Sequence, residues 1–269
     1  MDYIKKVDET KLWNQGSVAL WDFSKSNLDE GSRIETIATV ASVCWGKEPK
    51  NQAKLVEHLK TEHNGGMTSA FEFIRGGFNK ESSNIASSLR NDPHSHTYEE
   101  VAKDIVDDGM FNGFYDECYG EHYNNIATFF VKIPIFIARQ LIRHRSFSFQ
   151  ERSRRYTTDK LEFWCPTQTY WQASMGARMS YEALLREGEP PERARAVLGT
   201  GLYTEIWLQS DAPGLKNYFA VRLDKHTQKE HRELAQALLD LLEKHQHELW
   251  NEVKPNTDEG FEIIEEQEN

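Results

Sequence analysis

Between Ile126 and Tyr156 the chain passes from a run rich in Phe and β-branched residues to a proline, then to an apolar stretch, then directly into a dense basic island. Ile126 to Lys132 has the composition of a strand. Pro134 suits the first turn of a helix, where its missing N–H is no loss, and that helix is expected to reach about Arg145. On it Arg139 and Arg143 share one face, and Gln140 and His144 share the adjacent one. The helix therefore aims its last turn at whatever the island holds. The island, Arg143-His144-Arg145-Ser146-Phe147-Ser148-Phe149-Gln150-Glu151-Arg152-Ser153-Arg154-Arg155-Tyr156, contains one acid, Glu151. Its guanidinium groups repel one another unless an anion lies among them, and each presents a planar fork suited to phosphate or carboxylate oxygens. The interleaved Phe147, Phe149 and Tyr156 argue against a wholly solvated face, and half-buried arginines need partners. The island reads as a site for a compact anion such as a nucleotide.

The remainder of the chain is acidic. Over 269 residues the formal net charge is -11, with a pI near 5.4 and a mean hydropathy of -0.70. This is a soluble globular balance, and it argues against a general nucleic-acid coat, which needs broad positive potential. Cys44, Cys118 and Cys165 are far apart and form no CxxC pair, so neither a disulfide framework nor a zinc knot is indicated. That pattern suits a reducing, cytoplasmic location. The first residues lack the apolar run of a signal peptide. The longest apolar stretch, Ile133 to Ile142, is interrupted by Arg139 and Gln140 and is too short to span a bilayer.

Elsewhere the reading is coarser. Residues 1–30 look mixed and turn-rich, with Trp13 and Trp21 as anchors. Arg33 to Val43 has helical period, and Gly46 and Pro49 close it. Asn51 to Leu59 reads as a short helix with Ala53, Leu55, Val56 and Leu59 inward. Gly65-Gly66 breaks the chain, and Thr68 to Ile74 is a strand or a turn. Residues 76–123 read as an excursion from the core. Glu192 to Gln209, after Pro190-Pro191, is expected to be a long helix burying Ala194, Val197, Leu198, Leu202 and Ile206. Pro213-Gly214 is expected to turn. Leu215 to Trp250 is helical in two pieces, the second (Glu233 to Leu249) amphipathic. One domain, 1–269, is expected, with an acidic tail from about 251 to 269.

A second constellation runs from Arg222 to His231. His226 and Glu230 are one turn apart, a metal-compatible spacing, but the run matches neither HExxH nor HxxEH, and capping or surface pairing is the better account. His94-Ser95-His96 has no partner set. No metal site is expected. The chain also lacks GxGxxG, GxxxxGK[ST] and GxSxG, which removes support for a Rossmann fold, a P-loop and a hydrolase elbow.

Arg143-His144-Arg145, seven residues, then Ser153 resembles the signature of the flavin-dependent thymidylate synthases. The likeness extends outward through Val131 to Gln140 and forward through Glu151, Arg155 and Tyr156. Downstream, Arg195-Ala196-Val197-Leu198, Leu202-Tyr203-Thr204, Asn217 and Arg222 follow in the order that family shows. Upstream, Ser69-Ala70-Phe71-Glu72-Phe73 looks like a degenerate form of its Thr-Pro-Phe-Glu-His box. The likeness covers most of residues 33–74 and 124–245.

The resemblance implies a single α/β (α+β) domain with a central mixed or antiparallel sheet flanked by helices, assembled as a homotetramer with active sites shared between subunits. It implies reductive methylation of dUMP to dTMP, with methylenetetrahydrofolate as carbon donor and a bound FAD reduced by NADPH. Arg222 would lie against the pyrimidine and favour ionisation at N3. Gln140, Arg143, Glu151, Arg152, Ser153, Arg154, Arg155 and Arg195 would hold dUMP. Ser153 would donate a hydrogen bond there and is also the candidate nucleophile by position, although no activating base stands beside it in sequence. Ser69, Arg143, His144, Arg145, Glu151, Asp211 and Asn217 would meet the flavin.

The chain departs from the family pattern at Gln150 (usually Asn), Arg154 (usually small) and Cys44 (often Ser). Met67 and Phe73 replace two histidines, Pro213 an arginine, and Gly199 a proline. These positions bear on the flavin and on the choice of base or sugar. Two rival expectations follow: a flavin-dependent C5 methylase or hydroxymethylase acting on UMP or dCMP, and a non-catalytic nucleotide- or RNA-binding protein.

Overall fold

The computed structural model describes residues 4–26, 29–60, 68–74, 126–158 and 160–255. Five antiparallel strands form one sheet in the order β1-β2-β3-β5-β4. They are β1 (Lys5–Leu12), β2 (Gly16–Asp22), β3 (Ile126–Pro134), β4 (Ser148–Glu151) and β5 (Tyr203–Asp211). The helices are α1 (Glu30–Ser42), α2 (Gln52–Lys60), α3 (Ile135–Leu141), α4 (Gln168–Arg186), α5 (Pro191–Ala194), α6 (Ala212–Arg222), α7 (Lys229–His245) and α8 (His247–Val253), with a 3-10 turn at Thr68–Phe73.

Strand alternation sorts the side chains to two faces. Leu20, Phe129, Val131, Ile206 and Leu208 pack beneath α3, α6, α7 and α8. Trp21, Phe130 and Trp207 point the other way and meet α1, α2 and the 3-10 turn; the Trp207 ring lies 4.9 Å from both Trp21 and Phe130. Covered on both faces, β3 and β5 are apolar at consecutive positions.

This double burial explains one difference from the sequence reading. Glu192 to Gln209 is not a long helix. It holds the end of the four-residue α5, a single 3-10 turn and most of β5, and Val197 is exposed. Residues 5–22 form a hairpin, with Trp13 at φ 50° in its turn and its indole donating to Glu233 at 2.6 Å. The edge strand β1 is solvated on one side, so its charges mask it. The helix after Pro134 is shorter than expected: Pro134 is its N-cap and it stops at Leu141, because the chain must turn through 142–146 to enter β4. Pro213 and Gly214 lie in the first turn of α6, capped by Asp211, which accepts from Gly214 N at 2.9 Å. Thr68–Phe73 is a 3-10 turn, and Ala53 is exposed on α2. The expected helix from Glu233 to Leu249 breaks at Gln246. Of the tail expected from about 251 to 269, residues up to Val253 belong to α8 and Val253 is buried in the core, while 256–269 lie outside the described residues. The excursion expected at 76–123 lies outside the described residues. Among the described residues no helix is long and apolar enough to cross a membrane.

α1 is started by a capping box: Asp29 Oδ1 accepts from Ser32 N at 2.7 Å and Ser32 Oγ accepts from Asp29 N at 3.0 Å. Asp29→Ala should lower the free energy of unfolding by about 1 kcal/mol, read as a reduced urea midpoint at unchanged slope.

Candidate functional site

The basic island divides by where each guanidinium is sent. Arg152 turns inward. It is buried, its Nη1 donates to Glu205 on β5 at 2.7 Å, and its backbone N donates to Glu205 O at 2.8 Å. Gly46, at φ +62°, leaves room for it; a Cβ there would lie 2.6 Å from Arg152 Nη2. Arg154 donates to the Lys160 carbonyl at 3.1 Å. Arg155 donates to the Glu192 carboxylate at 3.3 Å and covers the Tyr156 ring at 5.4 Å. Arg195 donates to the Glu192 carbonyl at 3.2 Å. Glu192 thus joins two arginines 40 positions apart in sequence, and it was not legible as a site residue. The guanidinium groups of Arg143 and Arg145 are exposed and make no hydrogen bond or ion pair among the described residues.

Glu151 closes β4. The residue as a whole is exposed, yet its carboxyl accepts from Thr204 Oγ1 at 2.8 Å. Burial raises its pKa above the ordinary carboxylate value, opposed by the Thr204 bond and by the nearby Arg139 and Arg195. Arg139, Arg155 and Arg195 therefore gather around two carboxylates, Glu151 and Glu192. Ser153 sits between, its Oγ accepting from Arg155 N at 3.3 Å. No base lies within hydrogen-bond reach of that hydroxyl among the described residues.

Behind β4, two of the positions that depart from the family pattern touch each other. Gln150 Nε2 donates to Cys44 Sγ, the Cys44 thiol donates to Glu151 O at 3.4 Å, and Ser69 Oγ bonds Gln150 Oε1. Ser69 is thereby committed within the protein. Burial pushes the Cys44 thiol up to about 11.

A second cluster sits where α3, α6 and α7 meet. Arg222 Nε donates to His144 Nε2 at 2.8 Å, and its Nη2 donates to the Gln140 carbonyl at 3.1 Å. His144 is buried, and burial with the neighbouring Arg222 charge depresses its pKa to about 4. It is therefore a neutral acceptor, and the positive charge rests on Arg222. Tyr218 packs edge-on against His144 at 4.9 Å. Fully buried His231 lies beside them, its Nδ1 3.3 Å from Gln140 Oε1, and burial, helped by the Arg222 charge, holds its pKa down at about 3. His231 and Gln228 carried no sequence signal beyond their place in the Arg222–His231 run. Of the remaining expected residues, Asp211 caps α6 and Asn217 is exposed on its surface. Among the described residues no group of three or more His, Cys, Asp or Glu is arranged to hold a metal.

Residues 117–246 match the family described as thymidylate synthase complementing protein. Two relatives named flavin-dependent thymidylate synthase match part of the chain. The Thermus thermophilus protein is 34% identical over 158 residues, 50% of this chain and 58% of that protein. The Thermotoga neapolitana protein is 36% identical over 128 residues, 42% of this chain and 59% of that protein. The chain thus spans less than two thirds of the length of these relatives. Among solved structures, a UMP/dUMP methylase PolB from Streptomyces cacaoi bound with 5-Br dUMP aligns with a TM-score of 0.44 at 21% identity, covering 65% of this chain and 91% of that one. An antiparallel α+β scaffold carries the Arg143-His144-Arg145 signature, and over residues 117–246 the chain is similar to the flavin-dependent thymidylate synthases.

The two depressed histidines set an acid sensitivity. Unfolded, each binds a proton near pH 6.5; folded, His144 does so only near 4 and His231 near 3. Between those values the unfolded chain holds more protons, so stability present above pH 6.5 is lost as pH falls. Urea melts should lose about 1–3 kcal/mol per pH unit between 6 and 4.5, and His144→Asn should flatten that slope.

Proposed function

We propose that this chain is an enzyme that methylates C5 of a pyrimidine nucleotide, with dUMP converted to dTMP. The observation that carries the reading is Arg222, clamped by His144 and the Gln140 carbonyl beside the exposed Arg143 and Arg145. Two of its donors are used by the protein, which leaves Nη1 for a ligand. Because His144 is neutral, Arg222 presents an undivided charge to the pyrimidine. That charge favours the N3-ionised form, in which electron density at C5 rises enough for attack on an activated one-carbon unit.

The cluster of Arg139, Arg155 and Arg195 would receive the phosphate. Glu151 and Glu192 keep these guanidinium groups from repelling one another and orient their forks. Ser153 and Arg154 border this cluster, while Arg152 braces β4 from behind through Glu205. Ser153 acts as a hydrogen-bonding group, since no adjacent base among the described residues would activate it as a nucleophile.

The donor set also fits a flavin dinucleotide. Arg143 and Arg145 offer guanidinium groups unengaged among the described residues to a pyrophosphate, and Asn217 an exposed carboxamide; Asp211 would act through the α6 N-terminus it caps and Ser69 through Gln150. When bound and reduced, FAD supplies the hydride that completes the methyl group, with NADPH as reductant and methylenetetrahydrofolate as carbon source. The chain's own part is to orient, polarise and exclude water. We also propose a cytoplasmic homotetramer. Tyr170, Trp171 and Met179 are exposed on α4, a helix with one buried residue, Tyr181, and partners for Arg143 and Arg145 would come across the subunit interface.

Purified protein titrated with FAD should turn yellow, and its reduced flavin should be reoxidised anaerobically only when dUMP and methylenetetrahydrofolate are both present. Running UMP and dCMP beside dUMP assigns the base and sugar. A protein that takes up neither FAD nor dUMP would sink the reading. Arg222→Gln should lower kcat/KM by about 100–1000-fold with the fold intact by circular dichroism. Ser153→Ala should keep turnover within about tenfold; a loss of several thousandfold would restore it as a nucleophile.

A further inference from the structure

The Arg222–His231 run carries a chain of hydrogen bonds that the functional reading leaves unused. It begins at a carboxylate. Glu230, in the first turn of α7, accepts from Gln228 Nε2 at 2.8 Å. An ionised carboxylate only accepts, so Gln228 presents its NH2 to Glu230 and its oxygen to the opposite side. There it accepts from Gln140 Nε2 at 2.7 Å. The Gln140 oxygen is thereby turned inward, where His231 Nδ1 lies 3.3 Å away. A bond from His231 to that oxygen requires the proton on Nδ1. Every bond direction is thus set from Glu230 inward.

Burial rules out the reverse arrangement. His231 is fully buried, and its Nε2 has no hydrogen-bond partner among the described residues; nor does the hydroxyl of Tyr218, whose ring packs against it. Were the Gln140 amide reversed, Nδ1 would have to accept and Nε2 would carry a proton, leaving a buried donor unpaired. With the proton on Nδ1, Nε2 holds only a lone pair, the less costly group to leave unpaired.

We propose that His231 is a positioning residue that locks the carboxamide of Gln140, so that Gln140 offers its NH2 edge, and not its oxygen, to an oxygen atom of the bound nucleotide. The ligand half of this inference rests on Gln140 being a nucleotide contact. Gln228 Oε1, on an exposed side chain, marks where the ligand oxygen would lie. The same NH2 edge suits a base carbonyl or a phosphate oxygen, and rejects an amino group.

Three variants, two ligands and the tautomer of His231 test this. His231→Leu should weaken dUMP binding about tenfold, with kcat within about threefold of wild type. His231→Asn should restore most of the affinity, because its own carboxamide supplies the missing donor, whereas His231→Gln, with that donor one bond further out, should not. A loss shared equally by the Leu and Asn variants, or seen in neither, overturns the proposal. Deoxyuridine, which lacks the phosphate, locates the oxygen: a penalty kept with deoxyuridine assigns it to the base, and one confined to dUMP assigns it to the phosphate. Independently of any nucleotide, long-range nitrogen–proton couplings in histidine-labelled wild-type protein should show His231 with its proton on Nδ1. A proton on Nε2 overturns the proposal even if dUMP binds. Wild-type protein that shows the Nδ1 form but binds no dUMP overturns the nucleotide reading instead, and with it the assignment of a ligand oxygen to Gln140.

Discussion

The pairing of β3 with β5 is the constraint from which the site follows. The two strands run antiparallel over nine residues each, from Ile126 opposite Asp211 to Pro134 opposite Tyr203. A helix leaves each strand at its C-terminal end, so α3 and α6 start from opposite ends of one ladder of roughly 30 Å. Seven residues of α3 advance about 10 Å and eleven of α6 about 16 Å. Folded back over the same face, they meet end to end. Their C-terminal turns, each rich in carbonyl oxygens with no partner inside the helix, then need a cation, and Arg222 bonded to the Gln140 carbonyl supplies it. The residue read as the pyrimidine's activator is thus also the group that reconciles two helix ends.

What the sequence made legible follows from how each segment is buried. β3 stood out because Phe129, Phe130 and Val131 have few other uses in a row. β5, its partner, was hidden because Leu202 and Ile206 lie four apart and fit a helix as well as a strand covered on both faces. Reading a helix there concealed the contacts of Thr204 with Glu151 and of Glu205 with Arg152, which depend on strand geometry. The hairpin of β1 and β2 was hidden by the charges of its solvated edge. α4 left no clear reading, since its one buried residue, Tyr181, gives a weak apolar stripe. The arginine island was legible through its charge alone, but charge does not say which guanidinium turns inward.

The island's charges are divided by partner and not by order along the chain. Arg152, Arg154 and Arg155 find acceptors within the protein, whereas Arg143 and Arg145 keep their guanidinium groups exposed. The acids that make this possible, Glu192 and Glu205, come from distant segments. An acidic protein can therefore hold a basic site without placing acids inside the basic run. Cys44 and Gln150 follow a related logic: both depart from the family pattern, and they contact one another, so either change is understood only with the other.

β4 is four residues long, yet it fixes which charge faces the cluster of Arg139 and Arg195. Glu151 meets Thr204 while Arg152 meets Glu205, and these neighbours on β5 point to opposite sides of the sheet. Strand side chains repeat every two residues, so a slip of one position would send each to the other side. The carboxylate would go behind the sheet and the buried arginine would emerge among Arg139 and Arg195. The shortest strand in the sheet therefore works as a vernier: one notch of register separates a site that tolerates its own cations from one that expels them.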